Sequence, residues 1–340
     1  MTFFIPAFFL SLFGFFTIMG VRQDLLINQI VYFFLGIFLY FFVKRYNQFF
    51  RENHRLFFWL LFFLLIITFI IGLESRGSKR WLNFYFFNFQ PSEFLKVFFI
   101  FYFSSIFEQG DYYFEKVKIF FEALLVFFAT AFLIFKQPDL GNTIIFSLIF
   151  LIILLNSSIP KKVIFKFFIF LLIFLPFTWF FLKDYQKARI FSFLNPHLDY
   201  QGASYHMTQS IISVGSGGFS GKGLGLGTQS RLHFLPENHT DFVFASLVEQ
   251  FGFFGGFMVL FLYGIIFYFL FKKAIKFLRE KEERQNFLVV VGAIAYFFFQ
   301  MMINIGMNIG IFPITGIVLP FISYGGSAFL SSFILLGLIP

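Results

Sequence analysis

Apolar residues run in long unbroken stretches along this chain, not in the alternation of a half-buried strand or the single stripe of a surface helix. Ten stretches, residues 3–20, 25–43, 56–73, 91–107, 119–135, 141–156, 163–182, 241–271, 286–311 and 325–340, come close to the ~20 residues that a helix needs to cross a bilayer. Strands of a membrane barrel would alternate apolar and polar positions, so helices are the reading. The pattern predicts an all-α polytopic membrane protein, a single unit over 1–340. It has about ten transmembrane helices and one long extracytoplasmic loop, about residues 183–240, between helices seven and eight. The first run lacks a charged leader and a small-residue cleavage site, so it reads as a retained span.

Composition sharpens this picture. Hydrophobic residues make up 59% and charged residues only 13%, against about 25% charged in soluble domains. The 69 phenylalanines carry no functional weight, because Phe, Leu and Ile serve alike against lipid. Without cysteine, disulfides and thiol nucleophiles are excluded. The net charge of +9 points to cytoplasmic loops, not to nucleic acid. Lys44, Arg45, Arg51, Arg55, Lys116, Lys118, Lys161, Lys162, Lys166, Lys272, Lys273, Lys276, Arg279, Lys281 and Arg284 all fall on one side if the N-terminus is cytoplasmic. The C-terminus is then cytoplasmic too, and the long loop, Arg80, Asp139 and residues 313–326 share the outer face.

That face holds nearly every unusual polar residue. Pro91 suits a first helical turn, and Glu93 and Lys96 follow at a spacing of three, on one face of the fourth run. They form either a self-neutralising pair near the interface or a functional interior, since an ionisable group in a span costs up to roughly 3 kcal/mol. Arg80 beside Trp81 reads equally as an interfacial anchor. Asp139, in QPDLG, suits a helix cap, which does not exclude a chemical role.

Seven glycines lie between Gly215 and Gly227 in the long loop. GGFSGK at 217–222 is one residue short of a phosphate-binding loop, and Gly223 stands where Ser or Thr should bind magnesium. These glycines instead let backbone amides approach an anionic group, with Lys222 adding charge and Gln209, Gln229 and Ser230 nearby; the alternative is a flexible connector. Asp241 opens the eighth run beside Glu237, His239 and Thr240. It is either an N-cap, in competition with Thr240, or a partly desolvated general base. Prolines and glycines interrupt residues 304–330, as in broken helices that line a cavity.

QPSEFLK, QPDLG, GSGGFSGKGLGLGTQSRLHFLPENHTDF, NIGM and PITGIVLPFISYGGS occur in that order. Together they closely resemble the SEDS family (shape, elongation, division and sporulation) of bacterial cell-wall proteins, and within it the elongation branch more than the division branch. The resemblance implies a peptidoglycan glycosyltransferase in the cytoplasmic membrane that polymerises lipid II on the outer face. It also implies a class B penicillin-binding protein as transpeptidase partner, among other elongation-complex membrane proteins, and a plausible divalent cation, Mg²⁺ or Mn²⁺, with metal ligands unknown. The family's essential aspartate falls on Asp241, its paired Glu and Lys on Glu93 and Lys96, and its PDLG aspartate on Asp139. Two departures, Asn142 for the usual Thr and Gln250 for the second Glu of EELG, read as peripheral. A lipid II flippase and a non-catalytic scaffold that activates the transpeptidase are the alternatives.

Overall fold

The computed structural model describes residues 2–75, 78–83, 88–181, 187, 193, 203–232, 234–280 and 283–340. Its helices are α1 (Phe4–Val21), α2 (Leu26–Arg45), α3 (Asn47–Glu52), α4 (His54–Ile71), α5 (Pro91–Ile106), α6 (Tyr113–Lys136), α7 (Leu140–Asn156), α8 (Lys161–Phe181), α9 (Ala203–Ser216), α10 (Thr228–Arg231), α11 (Val243–Arg279), α12 (Arg284–Asn308) and α13 (Gly326–Leu338). Ten of these answer the ten apolar runs; α3, α9 and α10 are additional. Among the described residues six are individually long and apolar enough to cross a membrane, while α7 and α13 are shorter apolar helices. The protein is a polytopic helical membrane protein.

Helix α5 lies at the centre, packed against α4, α7, α12 and α13, with every residue from Leu95 to Ser104 buried. Aromatic contacts tie it to its neighbours: Phe58 stacks on Tyr102 at 4.0 Å between centroids, and Phe99 meets Phe146 edge-on at 4.9 Å. Such pairs add about 0.5–1.5 kcal/mol beyond area burial. Phe34, Phe63 and Leu125 point outward, as expected of side chains facing lipid.

Two groups of inter-helix contacts mark the two ends of the bundle. At one end Asn47 donates to the Gly337 carbonyl, and Arg284 pairs with Glu108 at 3.2 Å. Burial holds the Glu108 carboxyl above the usual carboxylate range against the opposing pull of Arg284. At the other end Gln90 N–H donates to Ser327 Oγ, and Tyr324 N–H to the His239 carbonyl. All of the candidate site residues that the structure brings together lie at this second end.

Three features differ from the sequence expectation. Residues 73–89 include a three-stranded antiparallel sheet, β1 (Leu73–Ser75), β2 (Ser78–Asn83) and β3 (Asn88–Phe89), because a segment outside the helices must still pair its backbone groups. The long loop contains α9 and α10; its residues 182–186, 188–192, 194–202 and 233 lie outside the described residues. Finally, α11 begins at Val243, extends to Arg279 and is broken at Gly252, where φ is 69°.

That break explains the glycine-rich turns. Interrupting a helix orphans the carbonyls before the break and the N–H groups after it. The turns satisfy both sets. Lys222 and Gly223 N–H donate to the carbonyls of Glu249 and Gln250 at 2.9 and 3.0 Å. Phe253 and Phe254 N–H donate to the carbonyls of Gly218 and Phe219 at 2.8 and 3.2 Å. Only glycine allows so close an approach: a Cβ on Gly221, at φ 77°, would lie 2.1 Å from the Gln250 oxygen.

Candidate active site

The first polar cluster joins β2, α5 and α7. Asp139 caps α7, accepting from Asn142 N–H at 3.2 Å, so the expected cap is present. Arg80 Nε donates to the Gln137 carbonyl at 3.1 Å, and its guanidinium lies 3.7 Å from Asp139 Oδ1. Lys96 pairs with Glu93 at 2.8 Å, and both are almost wholly buried. The side chain of Asn142 links the two pairs. Its Nδ2 donates to Asp139 Oδ2 at 2.9 Å and to Glu93 Oε1 at 3.1 Å, while its Oδ1 accepts from Lys96 Nζ at 3.0 Å. Asn142 is therefore the hub, not the peripheral departure that the sequence suggested: an amide can donate and accept at once, and three buried charged side chains require both.

The second cluster surrounds Asp241. The N-cap position of α11 is Phe242, without a side-chain cap, so neither Thr240 nor Asp241 occupies it. Thr240 Oγ1 donates instead to Glu237 Oε2 at 2.9 Å. Asp241 is half-buried, and its Oδ2 lies 3.6 Å from where a Cβ on Gly316 would stand. Gly316 is exposed, with φ 74°, so space opens beside the carboxylate. His239 and Tyr324 are 5.6 Å apart between ring centroids, and Asn28 Nδ2 reaches the Tyr324 hydroxyl at 3.4 Å. Arg22, between α1 and α2, joins this rim. Its pKa is raised, first by the hydrogen bond to Asp24 and further by the charge of Glu237. Nothing local in the sequence connects Arg22 with residue 237.

The two clusters flank one stretch of chain. A Cβ on Gly141, beside Asn142, would meet the Thr315 carbonyl at 2.6 Å and Ile317 Cγ1 at 2.9 Å, and Gly316 borders Asp241. Residues 315–317 thus stand between the Asp139 network and the Asp241 carboxylate.

Lys222, Gln229 and Ser230 belong to a third cluster that corrects the expectation placed on them. The anion held by Lys222 and the N–H groups of α10 is the chain's own Glu249, which is fully buried. Its Oε1 accepts from Lys222 Nζ at 3.0 Å, Thr228 Oγ1 at 3.3 Å and Gln229 N–H at 2.9 Å. Its Oε2 accepts from Ser230 N–H at 3.0 Å, Ser230 Oγ at 2.7 Å and Ser213 Oγ at 3.3 Å. Gln250 is likewise not peripheral: it accepts from Gly225 N–H at 3.2 Å and donates to the Thr17 carbonyl at 3.2 Å, joining the turn to α1. Gln209 lies half-buried on α9. Among the described residues no group of three His, Cys, Asp or Glu could hold a metal ion.

A family model described as cell cycle protein, covering FtsW, RodA and SpoVE, matches residues 3–340. The chain belongs to the FtsW/RodA/SpoVE family. This FtsW/RodA/SpoVE member is 36% identical over 266 residues to the peptidoglycan glycosyltransferase MrdB of Escherichia coli K12, covering 78% of this chain and 70% of that one. It is 35% identical over 310 residues to FtsW of Wigglesworthia glossinidia brevipalpis, covering 90% and 80%. Its fold matches the rod shape determining protein RodA of Thermus thermophilus with a TM-score of 0.71 at 21% identity, over 99% of this chain and 94% of that one. It also matches a chain of a peptidoglycan synthase complex that coordinates polymerization and crosslinking, with a TM-score of 0.80 at 24% identity, over 99% and 95%.

Proposed function

We propose that the protein is a peptidoglycan glycosyltransferase that polymerises lipid II into β-1,4-linked glycan strands during cell-wall elongation, together with a class B penicillin-binding protein. The observation that carries this reading is the Asp241 carboxylate, half-buried at the head of α11 and bordered by an exposed glycine. In this reading Asp241 takes the proton from the 4-hydroxyl of the incoming GlcNAc. The hydroxyl oxygen bonds to the anomeric carbon of the lipid-linked strand, and the bond from that carbon to the pyrophosphate breaks, leaving the charge on the departing lipid pyrophosphate.

The cation suited to that leaving group is Arg80, whose side chain is 24% exposed. Lys96 is 1% exposed and committed to Glu93 and Asn142, and Lys222 belongs to the Glu249 cluster rather than to the two clusters that flank residues 315–317. In this reading the Glu93–Lys96–Asn142–Asp139 network holds Arg80 and the 315–317 stretch in register, while Glu237, His239 and Thr240 shape the acceptor side. Glu93 and Asp139 are already paired with Lys96 and Arg80, and no step is assigned to a divalent cation. The basic residues at the far end of the bundle support cytoplasmic termini and a site on the outer membrane face.

The test is purified protein with its transpeptidase partner, fluorescent lipid II and a gel that resolves glycan length. Asp241→Asn should lose polymerisation by about 10²–10⁴-fold, the scale of a general base. Wild-type polymer length and rate in that variant would remove Asp241 from the chemistry. Lipid II crossing vesicle membranes without any polymer from the wild type would favour a flippase.

A further inference from the structure

We propose that Asn304 and Asn308, one turn apart on α12, are positioning residues that hold Asp241 away from the helix it precedes. The inference rests on the reading of Asp241 as the base.

In an uninterrupted helix the N–H of Ala245 would donate to the carbonyl of Asp241, four residues back. Here the side-chain amide of Asn308 stands between them. Its Oδ1 accepts from Ala245 N–H at 2.9 Å and its Nδ2 donates to the Asp241 carbonyl at 3.0 Å. The first turn is opened by the width of one amide. The missing cap is thereby supplied from another helix, and Asp241 is left outside the regular turn. Asn304 Nδ2 donates to the same Asp241 carbonyl at 3.0 Å and to the Ile317 carbonyl at 2.6 Å. One amide therefore fixes the backbone of Asp241 against that of the residue following Gly316, the glycine that borders the carboxylate. Asn308 Nδ2 also donates to the Asn304 carbonyl at 2.8 Å, and both asparagines are fully buried.

The chemistry requires an amide at both places. A carboxylate could not donate to the Asp241 carbonyl, and a hydroxyl could not span two partners with the same reach. The spacing of four residues puts both amides on one face of α12. Tyr296 and Gln300 continue that face, and Lys96 lies over the Tyr296 ring at 5.5 Å from its centroid. The same stripe thus touches both clusters of the site.

The discriminating variants are Asn308→Asp and Asn304→Ser. Asn308→Asp keeps the acceptor for Ala245 and replaces the donor to the carbonyls of Asp241 and Asn304. Asn304→Ser keeps a single short donor for two carbonyls. Each is compared with wild type and Asp241→Asn for kcat, KM for lipid II and thermal melting in detergent. The expected result is a kcat reduced tenfold or more in Asn308→Asp and less in Asn304→Ser, with KM within twofold of wild type and folded protein in both. A wild-type kcat in the folded variants, or a rise in KM that accounts for the whole loss, overturns the proposal. So does failure of both variants to fold, which would make the pair a folding element. Full activity in Asp241→Asn would remove the underlying reading instead, whatever the asparagine variants do.

Discussion

Glu249 offers the sharpest test of how the loop end of the bundle is built. Its carboxylate is fully buried and accepts from six donors. Glu249→Leu preserves volume but orphans the backbone N–H groups of Gln229 and Ser230, the Ser230 hydroxyl and the Lys222 ammonium. A hydrogen bond to a charged group contributes about 1.5–3 kcal/mol, and breaking one side of a buried ion pair costs about 3–5 kcal/mol. The orphaned serine groups can bond to each other or to water, so a loss of about 3–5 kcal/mol is expected rather than the sum over all donors. Lys222→Met removes one donor of six, and that side chain is 28% exposed, so about 1 kcal/mol or less is expected. Melting of the purified variants in detergent measures both, and limited proteolysis at Lys222 and Arg231 reports whether the turn opens. Asn238 donates to the Ser230 carbonyl and Ser246 Oγ to the Asn238 carbonyl, so polymerisation should fall along with the turn in Glu249→Leu. If Glu249→Leu melts with wild type, or Lys222→Met costs as much as Glu249→Leu, the carboxylate is not what holds the turn.

Two other perturbations separate neighbouring ideas. Asn142→Leu strips the link between Glu93, Lys96 and Asp139 and should cost about 3 kcal/mol in stability with a large loss of polymerisation. Asn142→Thr, which keeps one hydroxyl, should lose less of both when melting and glycan gels are compared. At the opposite end, Glu108 has its folded pKa raised, chiefly by burial. The stability it contributes is fully present below the ordinary Glu pKa and is lost as pH rises through the raised value. Glu108→Gln should therefore flatten the decline in melting temperature across that window; an unchanged profile would assign the decline to another group.

What was legible in the sequence is what depends on local windows. Hydropathy adds up over ~20 residues regardless of their neighbours, so the ten runs and the helical class followed directly. The Pro91 start of α5 and the Asp139 cap of α7 depend on one turn of backbone and were equally readable. The ordered motifs carried the family, and with it the expectation placed on Glu93, Lys96, Asp139 and Asp241. The partner of each buried polar group was not readable. A low-dielectric interior forces such groups to pair, but which pair forms depends on which helices meet. Hence the partner of Lys222, Gln229 and Ser230 proved to be Glu249, 22 residues beyond Gly227 in the chain. Asn142, dismissed as a departure, became the hub because α5 and α7 pack side by side. The amide of Asn308 entered the first turn of α11 because the end of α12 lies against it. The sequence by itself determined which segments enter the membrane and which residues are costly there; the tertiary structure decided which charges neutralise one another and which stretch of chain the Asp241 carboxylate stands beside.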